Sequence, residues 1–392
     1  MVIKPKIRGF ICTNAHPVGC EQAVKEQIDF VKSKGTLECP KKVLVIGCST
    51  GYGLASRITA AFGAGAKTLG VCFEKEPSEK KTATAGWYNT AAFHKFAQKE
   101  DLYCKTINGD AFSDECKKEV IDLIKSDLGE VDLVVYSLAS PRRKDPKTET
   151  VYNSQLKPVG NSYTTKTFDT SKEVVHEITL DPATDDDIKN TIKVMGGEDW
   201  ELWIEALNDA GVLAKDCRTT AYTYIGKELT RPIYGDATIG KAKEDLDRAA
   251  AQLNKQYSNI HLTAYVSSLK AVVTQASSAI PVMPLYISLM FKVMKDEGCH
   301  EGVIEQIYGL FDKMLFADNP SVDEVNRLRM DTVETNDAIQ SKIKEKWDMV
   351  TTENFSELGD YKGYHLDFLK LFGFGFEQVD YEQDVDPVVD WS

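Results

Sequence analysis

The chain has 392 residues, 42% of them hydrophobic and 27% charged, with a formal net charge of -13. That length suits one large α/β domain or two ordinary ones, and that composition excludes general disorder. An acidic chain without a basic stripe is also a poor match for a nucleic-acid backbone.

The opening stretch MVIKPKIRGFICTNAHP lacks the apolar run of a secretory signal. Residues 43–46 read as the first strand, and Leu54, Ile58, Ala61 and Phe62 follow at helical spacing. A second strand is expected over 67–73, a helix over 87–100 and a third strand over 102–109, with Ser113 capping the next helix. Residues 131–140 are near-continuously apolar, as a strand covered on both faces should be. The pattern is lost between 141 and 190, a polar stretch that reads as an insertion, partly hairpins, beside the strand ends. Two more strands are expected over 219–226 and 260–268. Strands alternating with helices imply a parallel sheet with right-handed crossovers.

Residues 277–294 are the most apolar later segment, but Pro281 and Pro284 break it and Lys292 interrupts its end. A membrane span needs about 20 apolar residues, so a buried or lid-like helix is the expectation. From about 285 onward the chain reads as mainly helical, and the acidic tail FEQVDYEQDVDPVVDWS as loosely held. The whole reads as one enlarged Rossmann-type domain over 1–392. Its parts are a first nucleotide-binding half (43–140), the insertion (141–190), a catalytic half with a lid (191–300) and a helical part (301–392).

Gly47, Gly51 and Gly53 sit between a strand and a helix. Glycines there let the backbone approach a pyrophosphate, and the helix N-terminus faces its charge. The spacing is neither a P-loop nor the general G-x-G-x-x-G fingerprint. Glu74 ends the second strand, where a carboxylate accepts from ribose hydroxyls and repels a 2′-phosphate. This favours NADH over NADPH, although Lys75 beside it blunts the discrimination. Asp110 after the third strand and residues 137–140 after the fourth share the same edge of the sheet.

A reductase of polar double bonds needs an oxyanion stabiliser and a proton donor, and a phenol beside a cation supplies both. Residues 219–253 offer Tyr222, Tyr224 and Tyr234, with Lys241 and Lys243 beyond. Ile239, Ala242, Leu246, Ala249, Ala250 and Leu253 form the apolar face of the helix there. At about 100° per residue, Lys243 falls near the edge of that face and Lys241 roughly 130° from its centre. Lys243 is therefore the inward lysine. Tyr222 and Tyr224 share one strand face, with Tyr224 nearer a ligand.

Taken together, Gly47–Gly53, TAGWYN (84–89), INGDAFS (107–113), YSLASPRR (136–143), KVMGGEDWELW (193–203), AYTYIG (221–226), Tyr234-x8-Lys243 and SSAIPVMPLY (277–286) are recognisable. The chain resembles the bacterial trans-2-enoyl-CoA reductases and the FabV-type enoyl-ACP reductases over nearly its whole length. The resemblance implies an enlarged short-chain dehydrogenase fold and NADH-dependent reduction of a trans-2-enoyl thioester. It implies that Gly47, Cys48, Ser49, Thr50, Gly51 and Tyr52 lie against the pyrophosphate of NAD. Phe73 and Glu74 would hold the adenosine ribose, Asp110 and Ala111 the adenine. Leu138 and Ala139 would line the cofactor channel, and Val272, Val273 and Thr274 the nicotinamide pocket. Tyr234 would be the proton donor, alone or with Tyr224 on the thioester oxygen, Lys243 its support on the nicotinamide ribose, and Tyr224 also a contact to the acyl substrate. The partner would be an acyl-CoA or acyl-ACP thioester, with a lean to CoA, and the chain a monomer. The other reaction open on this fold is carbonyl reduction.

Nine cysteines without a CxxC pair read as reduced thiols of a cytoplasmic protein. The six histidines form no ligand motif, so no metal is expected.

Overall fold

A computed structural model describes residues 1–391. Its frame is a seven-stranded sheet of β1 (Lys42–Ile46), β2 (Lys67–Cys72), β3 (Cys104–Asn108), β4 (Val131–Tyr136), β5 (Leu213–Thr223), β6 (Thr263–Ser268) and β7 (Arg327–Arg329). The strands lie in the order 3-2-1-4-5-6-7, all parallel, so the direction of winding reverses between β1 and β4.

The helices are α1 (Pro17–Ser33), α2 (Gly51–Ile58), α3 (Ala85–Lys99), α4 (Asp114–Leu123), α5 (Asp185–Met195), α6 (Glu198–Asp209) and α7 (Thr238–Gln256). After them come α8 (Gln275–Ser278), α9 (Met283–Asp296), α10 (Val303–Leu310), α11 (Asp337–Met349), α12 (Phe355–Leu358) and α13 (Tyr361–Lys370). Side chains alternate across a strand, and β1 shows the result. Val43 and Val45 pack with α1, α2 and α10 on one face; Leu44 and Ile46 pack with α4, α6 and α7 on the other. Both faces are covered, which is why these strands are apolar throughout. A third core gathers around α9 and includes α11 and α13.

Ser113 caps α4 by accepting from the Cys116 N–H at 3.1 Å. The insertion holds two antiparallel hairpins, 142–144 with 151–153 and 163–169 with 174–180. The apolar stretch at 131 ends as a strand at Tyr136, where the chain turns across the sheet edge.

Two expectations change and one open reading closes. The stretch from 301, read as helical, supplies the edge strand β7, paired to β6 at only three positions. Of the two readings of 277–294, buried or lid-like, α9 takes the first, buried on nearly every face, and no helix among the described residues is long and apolar enough to cross a membrane. The acidic tail, read as loose, is anchored. Trp391 lies 3.8 Å from Trp87 between ring centroids, and the Val389 and Pro387 carbonyls accept from Trp87 and Tyr88 at 2.6 and 2.7 Å. The tilted tryptophan contact holds the end of the tail, and Asp384 and Glu382 before it pair with the Met1 N-terminus and Lys4.

Candidate active site

In a doubly wound sheet the crevice lies beyond the C-terminal strand ends, at the reversal of strand order. Here that is the space over β1 and β4. The loop after β1 is built for close approach. Gly47 has φ 86°, and a Cβ on it would stand 2.2 Å from the Ser137 carbonyl oxygen. A Cβ on Gly53 would stand 1.8 Å from the Gly47 carbonyl oxygen. Neither position admits a side chain without moving backbone. A Cβ on Gly51 would meet only Thr274, at 3.7 Å. That gap between the loop and residue 274 is the cradle. The N-cap of α2, Thr50, makes no side-chain hydrogen bond, so the first N–H groups of the helix stay free for an anion. The residues present therefore fit a dinucleotide pyrophosphate.

Glu74 follows β2. Its Oε1 accepts from Ser49 Oγ at 2.6 Å and its Oε2 from Thr84 Oγ1. Its backbone is clamped by Asn108, which accepts from the Glu74 N–H at 2.7 Å and donates to its carbonyl at 3.0 Å. The carboxylate is fixed and keeps a lone pair on each oxygen for a diol. Phe73, beside it, is 80% exposed, so its ring flanks the crevice without packing in the core.

Asp110 and Ala111 follow β3. The Ala111 carbonyl accepts from Lys117 Nζ and Trp203 Nε1, both at 3.1 Å. Lys117 also donates to the Phe112 carbonyl at 3.2 Å and to buried Asp199 at 2.9 Å. An ion pair sealed from water thus sets the loop where adenine would lie. Leu138 packs near Gly47 after β4, and Ala139 is exposed beyond it.

The chain after β5 carries the phenols. Tyr224 and Tyr234 meet edge to face, with centroids 5.0 Å apart and planes at 87°. Burial pushes the Tyr234 phenol up, and a backbone hydrogen bond at Tyr224 works against it. Lys243, on α7, reaches back to the Tyr222 carbonyl at 3.1 Å. Burial lowers its pKa to about 8, against the pull of Asp247. Lys241 points outward and pairs with Glu244. Tyr222 itself faces α2, where its hydroxyl lies 2.6 Å from Ser56. Val272 and Val273 are buried, and Thr274 caps α8.

Sequence reasoning missed Glu334. It follows β7, is fully buried, and accepts from the Tyr224 hydroxyl at 2.8 Å. The signal was the short alternation RLRM; with that strand unread, a carboxylate at its C-terminal end went unread as well. Beyond α8 lies a cleft of about 460 Å³, lined by Phe168, Ser278, Ile280, Pro284, Tyr361 and Tyr364. Ser278, on its wall, donates its hydroxyl to the Thr274 carbonyl one turn back at 2.8 Å. No group of three His, Cys, Asp or Glu among the described residues is placed to hold a metal ion.

Three family models match the chain. They are described as the NAD(P)H binding domain of trans-2-enoyl-CoA reductase (residues 2–79), the trans-2-enoyl-CoA reductase catalytic region (81–316) and the enoyl reductase FAD binding domain (322–385). The chain is 68% identical to the enoyl-(acyl-carrier-protein) reductase (NADH) of Idiomarina loihiensis over 392 residues, 100% of each chain. It is 58% identical to the Pseudomonas fluorescens enzyme of the same name, over 99% of this chain and 98% of that one. Among solved structures it is similar to the Treponema denticola trans-2-enoyl-CoA reductase in complex with NAD. The two share 49% identity and a TM-score of 0.95, with 98% of each chain covered. A Clostridium trans-2-enoyl-CoA reductase solved with NADH gives 42% identity and a TM-score of 0.96, over 99% of this chain and 98% of that one.

The third description names a flavin, and residues 322–385 do not fit one. The glycines of this segment are closed in by packing, within it and from the rest of the chain. A Cβ on Gly359 would stand 2.7 Å from the Phe355 ring, and one on Gly373 2.4 Å from the His16 carbonyl oxygen. Its aromatic side chains Phe355, Tyr364, Phe368 and Phe372 lie in the core around α9. No strand–glycine–helix cradle occurs there among the described residues. What the segment does bring to the crevice is Glu334.

Proposed function

We infer the reaction from a membership: the chain belongs to the trans-2-enoyl-CoA reductase family, which its catalytic-region model and full-length relatives establish. It is an oxidoreductase that reduces trans-2-enoyl thioesters to saturated acyl thioesters with NADH. The observation that carries the residue roles is the Tyr224–Tyr234 pair, with Lys243 anchored beside it on the strand-end side of β5.

When bound, NADH supplies the hydride for the β-carbon. The 47–52 loop would hold its pyrophosphate, Glu74 a ribose, Asp110 and Ala111 the adenine, and residues 272–274 the nicotinamide. Reduction leaves negative charge on the thioester oxygen. Tyr234 donates a hydrogen bond there and a proton reaches the α-carbon. Lys243, charged below about pH 8, favours the phenolate that forms as the proton leaves. Its tether to the Tyr222 carbonyl fixes where that charge stands. Tyr224 lines the acyl side, and the cleft beyond Ser278 supports passage of an acyl or pantetheine chain.

The carrier we favour is acyl carrier protein, because the curated relatives with 58–68% identity all bear that name. Nine free thiols support a reducing, cytoplasmic setting. A panel of enoyl-CoA and enoyl-ACP substrates with NADH and NADPH tests these assignments. A saturated product is expected; a hydroxyacyl product would move the reading to carbonyl reduction. Tyr234→Phe should lower kcat by about 10² or more while NADH affinity holds.

A further inference from the structure

Glu334 has no access to water, and its carboxylate receives three hydrogen bonds. The Tyr224 and Tyr286 hydroxyls donate to Oε1 at 2.8 and 2.7 Å, and the Ala271 N–H donates to Oε2 at 2.6 Å. Around this node the remaining partners are complete. Gln340 donates to the Tyr286 oxygen at 3.0 Å and to the Glu334 carbonyl at 2.8 Å. Thr230 lies 3.0 Å from the Tyr224 oxygen. The one cation is Lys270, itself buried, whose Nζ donates to the Ala271 and Glu301 carbonyls at 2.9 Å each. Ala271 thus stands with its N–H on a buried carboxylate and its C=O, part of the next peptide, on a buried ammonium. That second peptide leads into 272–274, the nicotinamide side of the cradle. The Lys270 carbonyl in turn accepts from the Tyr52 hydroxyl at 2.8 Å, which ties the glycine loop to the same node.

A phenol has one proton, and an ionised carboxylate only accepts. Burial raises the Glu334 carboxyl while Lys270 and these donors hold it down; in the ionised form, with two phenols and an amide all aimed at it, the Tyr224 proton is committed to it. Tyr224 then has nothing to donate to a substrate oxygen unless it leaves Glu334 charged, buried and one bond short. Buried charged acceptors resist that loss.

We propose that Glu334 is a positioning residue of the reaction, which takes the only hydroxyl proton of Tyr224 and leaves Tyr234 the sole donor to the thioester oxygen. The Tyr224 ring, held by its hydroxyl, is the surface against which Tyr234 stands edge-on. Through Ala271 the same carboxylate holds the cofactor side of the crevice. The reaction arm of this inference rests on the enoyl-thioester reading; the cofactor arm does not.

The test uses the full chain and four variants: Glu334→Gln, Tyr224→Phe, Glu334→Gln/Tyr224→Phe and Tyr234→Phe. Gln keeps the volume but loses the charge and turns one acceptor into a donor that opposes the Ala271 N–H. With crotonyl-CoA and NADH, Glu334→Gln should lower kcat about 10- to 100-fold, the scale of a small misplacement at the reacting centre, and move KM for the thioester less than about threefold. The double variant should fall no more than about threefold below the worse single one, because both break one link. Multiplying losses, or a kcat within about twofold of the parent, overturns the proposal. If the Gln variant loses its near-UV circular dichroism, the two tyrosine variants decide. Tyr234→Phe should cost at least about tenfold more in kcat than Tyr224→Phe, and equal losses would make Tyr224 a donor too. NADH affinity is measured on the same proteins without thioester. Glu334→Gln should raise Kd about tenfold and Tyr224→Phe should leave it within about twofold. An unchanged Kd in Glu334→Gln overturns the cofactor arm even for a chain that turned over no enoyl thioester.

Discussion

Replacing Lys117 by Met should destabilise the protein by about 3–5 kcal/mol at neutral pH, the cost of breaking a buried ion pair from one side. The ammonium and the Asp199 carboxylate are 6% and 2% exposed and 2.9 Å apart. Met fills much of the same volume, so little of the loss is cavity. The Phe112 carbonyl loses its lysine, an orphaned acceptor worth about 1–3 kcal/mol; the Ala111 carbonyl keeps Trp203. The rest falls on Asp199, left with only the Tyr136 hydroxyl at 3.1 Å. Burial already raises the Asp199 carboxyl, and Lys117 is the main group holding it down. Without Lys117 it rises further, so the folded chain binds a proton that the unfolded chain releases. Stability then falls as pH rises through that window, and mild acid should return part of it. Lys117→Met/Asp199→Asn removes both charges and keeps an acceptor for Tyr136. It should recover most of the loss and lose the added pH slope. Urea unfolding at several pH values reads all of this, and NADH titration reads the adenine loop, whose Kd should rise about tenfold. A single-variant cost under about 1 kcal/mol, or a double variant no better than the single, would refute the argument.

Three further outcomes follow from the same geometry. Gly53→Ala puts a methyl 1.8 Å from the Gly47 carbonyl oxygen, so NADH binding should weaken by about 10² or more, read by fluorescence titration. The kcat/KM for NADH, which reports the free enzyme, should fall as pH rises through about 8 while Lys243 loses its proton. Over the same window that lysine's contribution to stability rises, since the unfolded chain binds the extra proton; parallel losses of activity and of the unfolding midpoint would contradict the assignment. Trp391→Ala should cost about 2 kcal/mol in urea unfolding by uncovering Trp87, and no change would mean that the tail stack carries no stability.

The nucleotide half was legible because its code is local. Glycine spacing, an apolar run and an acidic residue all lie within one strand–helix–strand unit, and the chain folds them in the order written. Helix periodicity also separated Lys243 from Lys241, since an inward and an outward position differ by half a turn. The failures have a common cause. β7 has three residues, too few for a period to show, and it exists because β6 offers it a paired edge. The tail was misread from its charge, because its anchors are Trp87 and Tyr88, some 300 residues earlier. Helix α9 stayed open between buried and lid-like because nothing in its own sequence says that α11 and α13 cover it.

The order in which the crevice is assembled follows from where its parts lie in the chain. Every proposed cofactor contact up to Ala139 comes from about 100 consecutive residues, joined by the three strands β1 to β3 and by β4. The link between Tyr224 and Glu334 spans 110 residues and depends on a three-residue edge strand. Long loops are the slowest to close, and short sheet edges the first to open. A refolding chain can therefore recognise NADH before its two tyrosines are in place. A partly unfolded chain, likewise, keeps its nucleotide after it has lost its chemistry.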